Sequence, residues 1–444
     1  MFVKKRSFRF VGIAIICCML VGCCVAYINR TAIKRLVENC VQYVHHQKLE
    51  NALHKTADMA YLKSLNIPVV VIDTKNNKEP SFDEAVSPTD WGKGIKNAKY
   101  VKMDVKMLLH DSLIYCNRDE TGKRINESKI RIRGNTSAYD DKKSYMIKFN
   151  KKSKLLIGKS KKWILLRTVG DIKTIIGFET NRLLSMPYTP RYQYVNLVVN
   201  NNYRGLYVLL EPISQNKVGV SDNGYIIEAD AYWWNEDYYF KTELLDDHFG
   251  YTFKHPSYKN ADSASIAYIK DYVRKFEKSI GTGQYEHYID VRSWVSWLMV
   301  HDILGTRDYG GSNIYLSKYD QTDSTLLQMP TTWDFDCLYK SEVLWAPIHE
   351  KGFYFQHLLN SPNTTFKDTY DAVYKEKSSV FFPKMDDYLL QLQSSHLGSS
   401  LDASLKLDAE RWDYPYKPLR TIISEAREWF SERKKWMDAQ LKKQ

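Results

Sequence analysis

Residues 191–211, RYQYVNLVVNNNYRGLYVLLE, contain the strongest fold signal in this sequence of 444 residues. Residues 192–199 and 205–210 are dense in aromatic, β-branched and aliphatic side chains, which favour β-strands. The Asn and Gly residues of the intervening NNNYRG are typical of a tight turn. This stretch therefore predicts a β-hairpin, and we expect the hairpin to complete a larger sheet.

Four segments before this hairpin alternate apolar and polar residues, as a half-buried strand requires. They are YVKMDVKM, KIRIRG, SYMIKF and KWILLR, at residues 100–107, 129–134, 144–149 and 162–167. The run IIGFETNRLL, residues 175–184, predicts a helix ahead of the hairpin. This half of the chain is thus predicted to be an antiparallel sheet with one inserted helix.

The second half of the chain is predicted to be mainly helical. Residues 266–280, 291–304 and 426–441 each place apolar side chains on one face at helical spacing. We therefore expect an α+β fold with two lobes, a sheet-rich N-lobe over residues 65–215 and a mainly helical C-lobe over residues 216–444.

The N-terminus has the layout of an export signal. Four basic residues among the first nine precede an uncharged run over residues 10–28. Within it, LVGC resembles the lipobox of bacterial lipoproteins, whose cysteine, here Cys23, becomes the lipidated first residue. An uncleaved signal anchor is the alternative, since the run is long enough to span a bilayer. Residues 1–28 are thus predicted to be a signal or anchor and residues 29–64 a helical stalk, with the rest outside the cytoplasm.

Composition narrows the class of protein. Hydrophobic residues at 44% and charged residues at 26% are typical of a globular protein rather than a disordered one. Only Cys40, Cys116 and Cys337 lie outside the N-terminal run, and no zinc-type Cys/His spacing occurs, so neither a disulfide scaffold nor a structural zinc is expected. The net charge of +12 is spread along the chain, which argues against a nucleic-acid partner.

Two acidic motifs could carry chemistry. GTRDYGGSN places Asp308 five residues before Asn313, the spacing found in the catalytic loop of protein kinases. TWDFD then contributes Asp334 and Asp336. We expect two short strands between the motifs to form a hairpin that brings these four side chains together.

Phosphoryl transfer gives these residues defined roles. It needs a carboxylate to accept the hydroxyl proton, oxygen ligands for a divalent metal and a cation on the nucleotide phosphates. We assign Asp308 to the first role and Asn313 and Asp334 to the second. Lys148, on its predicted strand, is placed like the lysine that holds the phosphates in protein kinases.

A wider series of segments resembles the spore coat protein H (CotH) kinase family. The series spans about residues 66–340 and consists of RIRGNTS, SYMIKF, KWILLR, MPYTPRYQYVNLVVNNNYRGLYVLLEPI, GYIIEAD and TWDFD, in that order. The resemblance implies an atypical protein-kinase-like fold that uses ATP and Mg or Mn outside the cytoplasm. The expected partners are therefore ATP and a secreted or surface protein with a Ser or Thr acceptor.

The resemblance also implies roles for individual residues. It makes Asp308 the catalytic aspartate and Asp334 the metal-binding aspartate, and we expect Asp336, the second acid of the same motif, to be a further metal ligand. Glu179, in FETNRLL, falls where the family has a glutamate on its inserted helix, so it would pair with Lys148. The start of that helix departs from the family, because it has Lys-Thr where an Arg-Asn pair is common.

Several residues allow two interpretations. In RIRGNTS, Arg133 could contact a phosphate, or the Gly-Asn pair after it could simply turn a hairpin. Glu228 and Asp230 alternate along a predicted strand and could form a further acidic pair or a merely exposed one. The aromatic triplet of residues 232–234 could form a substrate platform or pack in the core.

Two other functions stay open. DFD could be the D-x-D motif of a metal-dependent glycosyltransferase, although an early parallel βαβ pattern is missing. The protein could also be a non-catalytic surface binding or scaffold protein with a kinase-like fold. The presence of Asp308, Asn313 and Asp334 favours catalysis, because a fold without catalysis is free to replace them.

Overall fold

The computed structural model describes residues 57–88, 93–155, 158–245, 247–257, 262–306, 313–339 and 353–442. The strands in these ranges are β1 Val69–Thr74, β2 Asp83–Val86, β3 Lys93–Lys96, β4 Val101–Leu109, β5 Ser112–Cys116, β6 Ser128–Arg133, β7 Ser144–Leu155, β8 Gly158–Arg167, β9 Tyr192–Val199, β10 Asn202–Leu210, β11 Tyr225–Asp230, β12 Tyr239–Phe240, β13 Gly250–His255 and β14 Ile314–Lys318. The helices are α1 Met59–Ser64, α2 Lys173–Leu183, α3 Gln215–Val218, α4 Ser263–Thr282, α5 Val291–Leu304, α6 Phe355–Leu359, α7 Thr365–Ser394, α8 His396–Trp412 and α9 Leu419–Lys442.

Seven of these strands close into a barrel. Their order is β1-β9-β10-β8-β7-β6-β4, and β1 also pairs with β4, which joins the two ends of the sheet. β1 runs parallel to β9, with Val69 opposite Asn196, whereas the other neighbours in the ring are antiparallel. β5 pairs with the part of the β4 edge that β6 leaves open. Closure satisfies strand edges that an open sheet would expose.

The predicted two-lobed, protein-kinase-like fold with an antiparallel-sheet N-lobe is therefore wrong. Seven of the ten strands within residues 65–215 form a closed barrel that includes a parallel pair, and a four-stranded sheet lies in the part predicted to be mainly helical. Alternating side chains could not reveal closure, because strands of an open sheet and of a barrel share a period of two. The predicted hairpin is confirmed as β9 and β10, and α2 lies before it.

The barrel interior is one hydrophobic core, and its outer surface contributes to another. Ile147 and Phe149 on β7 and Trp163 on β8 are buried inside the ring. Met146 and Ile164 alternate with them, face outward and pack in one cluster with the apolar residues of α2. This two-sided burial fixes α2 on the outside of the barrel.

The second sheet is antiparallel, with the order β12-β13-β11-β14. Glu228 on β11 stands opposite Tyr315 on β14, so the two side chains lie on the same face of the sheet. The apolar residues of this sheet share a core with those of α4, α5 and α7. The sheet thereby places the start of β14 beside the TWDFD segment described below.

The described residues belong to one compact unit, Thr56–Gln444. The predicted domain boundaries at residues 64 and 215 stay predictions. The predicted signal segment, with Cys23, lies outside the described residues, as does most of the predicted stalk. Within the described ranges, every helix is too short or too polar to cross a membrane.

Candidate functional site

The TWDFD segment is held against helix α2 by reciprocal hydrogen bonds. The side-chain nitrogen of Asn181 donates to the carbonyl of Thr332 at 3.2 Å, and the hydroxyl of Thr332 donates to the side-chain oxygen of Asn181. The hairpin predicted here is reduced to a bridge between Ser317 and Gln328, because the chain after that bridge forms no strand. Side-chain bonds to α2 replace the expected strand pairing.

Two buried aromatic side chains flank Asp334. Trp333 and Phe335 are buried, and Phe178 of α2 meets both rings edge-on at centroid distances of 6.1 and 5.3 Å. A methyl group on Gly177 would overlap the ring of Phe335, so Phe335 can lie this close to α2 only because residue 177 is a glycine. Asp334 itself is half-buried and has a positive φ of 66°. Packing of its two neighbours therefore sets the position of Asp334.

Gly177→Ala is expected to destabilise the protein by about 1–3 kcal/mol, because the new methyl group forces Phe335 out of its place. This reverses the normal preference of helices for Ala over Gly. Gly281→Ala in α4 is the matched control, since nothing lies within 4 Å of a methyl group there. Urea unfolding of both variants checks the prediction, and equal stability changes in the two would contradict it.

Asn313 and Asp334, two of the three predicted metal ligands, lie together. The side-chain nitrogen of Asn313 is 3.4 Å from a carboxylate oxygen of Asp334. Asn313 directly precedes β14 and has a positive φ of 85°, a conformation that Asn adopts more readily than most residues. The amide oxygen of Asn313 and the Asp334 carboxylate are both hard oxygen donors of the kind that Mg²⁺ or Mn²⁺ prefers.

Arg133 lies next to the TWDFD segment, on its barrel side. It ends β6, and its guanidinium lies 5.5 Å from the centroid of the Trp333 ring. The loop after it is tied to the segment that follows β11 by a hydrogen bond between the hydroxyls of Thr136 and Tyr232. Arg133 is thus a cation next to the residue that precedes Asp334.

Buried charges of the second sheet adjoin this cation. Glu228 and Asp230 are only 6% and 7% exposed, which excludes the interpretation of an exposed pair. The ammonium of Lys254 is 2.6 Å from Glu228. Burial disfavours the Lys254 charge, but Glu228 and Asp230 outweigh it and raise the pKa of Lys254. Burial and Glu228 also raise the pKa of Tyr315, while Arg133 opposes them.

The aromatic triplet packs rather than forming an open platform. Trp234 lies against Gly94 of β3, and Trp233 lies against Gly250 of β13. All three side chains are half-buried. Close packing on glycine favours the core interpretation of residues 232–234.

Lys148 and Glu179 do not form the predicted ion pair. Lys148 is half-buried and alternates with the inward Ile147 and Phe149, so it lies on the outer face of the barrel. Its partners across the strands are Lys129 and Lys162. Glu179 is buried and receives two hydrogen bonds from Arg182, one turn further along α2.

Asp336 extends the site toward the start of α2. Its side chain is exposed, and its backbone carbonyl accepts a hydrogen bond from the ammonium of Lys173 at 3.2 Å. The same ammonium lies 3.5 Å from Asp171. Burial raises the pKa of Asp171, and the nearby Asp336 raises it further, although Lys173 opposes this. Lys173 thus bridges the TWDFD segment and Asp171.

A cleft of about 330 Å³ opens beside this bridge. Its lining includes Asp171, Lys173, Tyr339, Tyr414 and Lys417. The phenolic oxygen of Tyr339 is buried and has no hydrogen-bond partner among the described residues. The cleft is therefore polar as well as aromatic.

Asp308, the predicted catalytic aspartate, lies outside the described residues, but the end of α5 that leads to it is well supported. The last four carbonyls of this helix each accept a hydrogen bond. Backbone N–H groups bond three of them: Thr306 donates to the carbonyl of His301, Gly305 to that of Asp302 and Tyr339 to that of Leu304. Side chains of α9 bond two: the Nε of Arg433 also donates to the carbonyl of Asp302, and the Nε1 of Trp429 donates to that of Ile303. The chain is thus fixed to within two residues of Asp308.

The donor set fits a metal that keeps few protein ligands. Among the described residues, no three His, Cys, Asp or Glu side chains are grouped to hold an ion by themselves. Mg²⁺ is commonly bound by one or two carboxylates together with water and substrate phosphates. Asn313 and Asp334 match that pattern, with Arg133 nearby as a cation for phosphate.

Sequence reasoning missed two charged residues of this region, Asp171 and Lys254. Asp171 precedes α2 by two positions, which resembles an ordinary helix start. Lys254 stands in the apolar strand YTFKH, and a lone lysine in a strand usually has its charge in solvent. The available signal for Lys254 was its position on a strand that pairs with the strand of Glu228 and Asp230.

Comparison with known protein families places the chain among kinase-like proteins. The family model described as CotH kinase protein matches residues 130–437, more than half of the chain. The chain therefore belongs to the CotH kinase family. No curated protein matches it.

Proposed function

We propose that this protein is an exported, ATP- and metal-dependent kinase that transfers phosphate to Ser or Thr hydroxyls of surface or secreted proteins. The observation that carries the proposal is the contact between Asn313 and Asp334 at 3.4 Å, in a chain that belongs to the CotH kinase family. This pair offers oxygen ligands for a divalent cation where a cationic side chain is also present.

Each described residue has a part in this proposal. Asn313 and Asp334 would hold Mg²⁺ or Mn²⁺, whose charge would offset that of the phosphates. Arg133 is the phosphate-binding cation that we favour over Lys148, because it lies beside Trp333, next to Asp334 in the chain. Asp336 is exposed at the same loop and could add a water-mediated contact to the cation.

The acceptor hydroxyl would be oriented by Asp308. A carboxylate in this position accepts the hydroxyl proton as the phosphoryl group is transferred. The fixed end of α5 supports the role, because it holds the chain up to Thr306, two positions before Asp308. Export is proposed from the basic and apolar N-terminal segment, with lipidation at Cys23 or an uncleaved anchor.

Asp308→Asn is expected to keep ATP affinity and to lower phosphoryl transfer by about 10²–10⁴-fold, the usual contribution of a general base. Transfer of labelled γ-phosphate by the full chain, with Mg²⁺ or Mn²⁺, measures the rate, and calorimetry measures ATP binding. Asp111→Asn is the control, because that carboxylate is exposed and, in the part of the chain that the structure describes, pairs with Lys63 alone.

The outcomes separate the alternatives. Unchanged turnover of Asp308→Asn would reject the assignment of Asp308. A wild-type protein that binds neither ATP nor metal would favour the surface binding or scaffold function. Stabilisation by a nucleotide sugar in preference to ATP would favour the glycosyltransferase.

A further inference from the structure

Two buried arginines meet at the barrel, away from the residues discussed so far. Arg411 of α8 is 1% exposed and Arg204 of β10 is 5% exposed. The Nε of Arg411 donates to the carbonyl of Tyr203 at 2.6 Å, and its guanidinium stacks on Trp412 at 4.3 Å. Arg204 acts electrostatically on Arg411, as do two barrel tyrosines and Asp408. The two guanidinium groups therefore share one buried environment.

The terminal nitrogens of Arg411 have no hydrogen-bond acceptor among the described residues, and neither does the Nε of Arg204. The carboxylate of Asp408, one turn before Arg411, is already saturated. Its oxygens accept from the Lys142 ammonium at 2.6 and 2.7 Å, from the Leu206 N–H at 3.0 Å and from the Tyr414 hydroxyl. Asp408 thus has no oxygen lone pair well placed for Arg411.

Arg411 is the one of three neighbouring cations without a carboxylate partner of its own among the described residues. Lys142 pairs with Asp408 and Arg204 pairs with Glu79, whereas the terminal nitrogens of Arg411 contact no carboxylate. Burial and the neighbouring Arg204 lower the pKa of Arg411 to about 10, so the guanidinium stays charged at neutral pH. An unneutralised buried charge costs several kcal/mol. A water molecule could accept hydrogen bonds from these nitrogens but would not neutralise the charge.

We propose that a monatomic anion, chloride under ordinary conditions, binds between the terminal nitrogens of Arg411 and the Nε of Arg204. The site supplies several N–H donors that have no acceptor among the described residues, on a guanidinium that has no carboxylate partner there. These nitrogens are closed to bulk solvent, and their few free N–H groups suit a spherical anion better than an oxyanion, whose several oxygens would each need a donor. The ligand would complete the contact between α8 and the barrel.

Thermal unfolding of the full chain tests the site. Sodium gluconate is replaced stepwise by sodium chloride at constant ionic strength, because gluconate is too large for the site. We expect Tm to rise by roughly 2 °C for each tenfold increase in chloride above the dissociation constant. In Arg411→Met this dependence should disappear.

Arg433→Met is the matched control. Arg433 is also buried, donates its Nε to a backbone carbonyl at 2.6 Å and stacks on the next tryptophan at 4.3 Å, but Asp302 lies close to it. This variant should keep the chloride dependence of the wild type. A dependence that survives in Arg411→Met, or is missing in the wild type, would overturn the proposal.

A crystal grown in bromide gives a second test that needs no variant to fold. An anomalous peak within hydrogen-bond distance of the Arg411 terminal nitrogens is expected. Electron density there without an anomalous signal would mean water and would reject the anion.

Discussion

Asp334→Asn is expected to lower metal-dependent phosphoryl transfer by at least about 10²–10³-fold, the loss typical for removal of one group that stabilises transition-state charge. The substitution removes the anionic oxygen that lies beside Asn313. Asn tolerates a positive φ as Asp does, so the φ of 66° can be kept and Trp333 and Phe335 can stay buried. Asp334→Asn therefore tests catalysis without a change in folding, which Asp334→Ala would not allow.

The measurement is the initial rate of transfer over a series of Mg²⁺ and Mn²⁺ concentrations. Asp413→Asn is the control, because Asp413 is an exposed aspartate with a similar φ of 56°. The control should match the wild type at every concentration. If Asp334→Asn kept a rate within a few-fold of wild type throughout the series, Asp334 would not be the metal ligand.

Asp408→Ala is expected to destabilise the protein by about 3–5 kcal/mol, the usual cost of removing one partner from a buried ion pair. Lys142 is 5% exposed and Asp408 is fully buried, with 2.6 Å between the ammonium and the carboxylate. The variant leaves that ammonium in the interior without its counter-ion. Burial lowers the pKa of Lys142, and Asp408 opposes this effect. The ammonium therefore depends on Asp408 to stay charged.

The double variant Lys142→Met/Asp408→Leu tests this reasoning. Removal of both charges should recover part of the loss, because no unpaired ion then remains buried. Recovery should be incomplete, since the Leu206 N–H and the Tyr414 hydroxyl lose their acceptor. Urea unfolding of the single variants Lys142→Met and Asp408→Leu and of the double variant measures the coupling, and additive losses in the double variant would contradict the prediction.

Local patterns predicted much of the fold but not its closure. The hairpin of β9 and β10 and the helix α2 follow from side-chain periodicity and turn residues within short stretches. Closure depends on β1, which pairs with β4 on one edge and with β9 on the other. Such long-range pairing leaves no mark in the alternation of either strand, so the sequence could not distinguish a barrel from an open sheet.

In the candidate site, too, local contacts could be predicted from the sequence and long-range contacts could not. The contact between Asn313 and Asp334 was predictable, because the two motifs are close in sequence and their residue types suit a metal. The pairing of Lys148 with Glu179 was predicted by analogy, and Glu179 instead pairs with Arg182, which lies on the same helix. Arg411 could not be singled out, because its isolation from acceptors arises only when α8 packs on the barrel.

The supported end of α5 has a consequence for biosynthesis. Two of the groups that bind its last carbonyls, the side chains of Trp429 and Arg433, belong to α9, far behind Asp308 in the chain. A ribosome releases these side chains only after the whole barrel has emerged. The nascent protein therefore lacks two of the hydrogen bonds that hold the end of α5 until synthesis has passed α9.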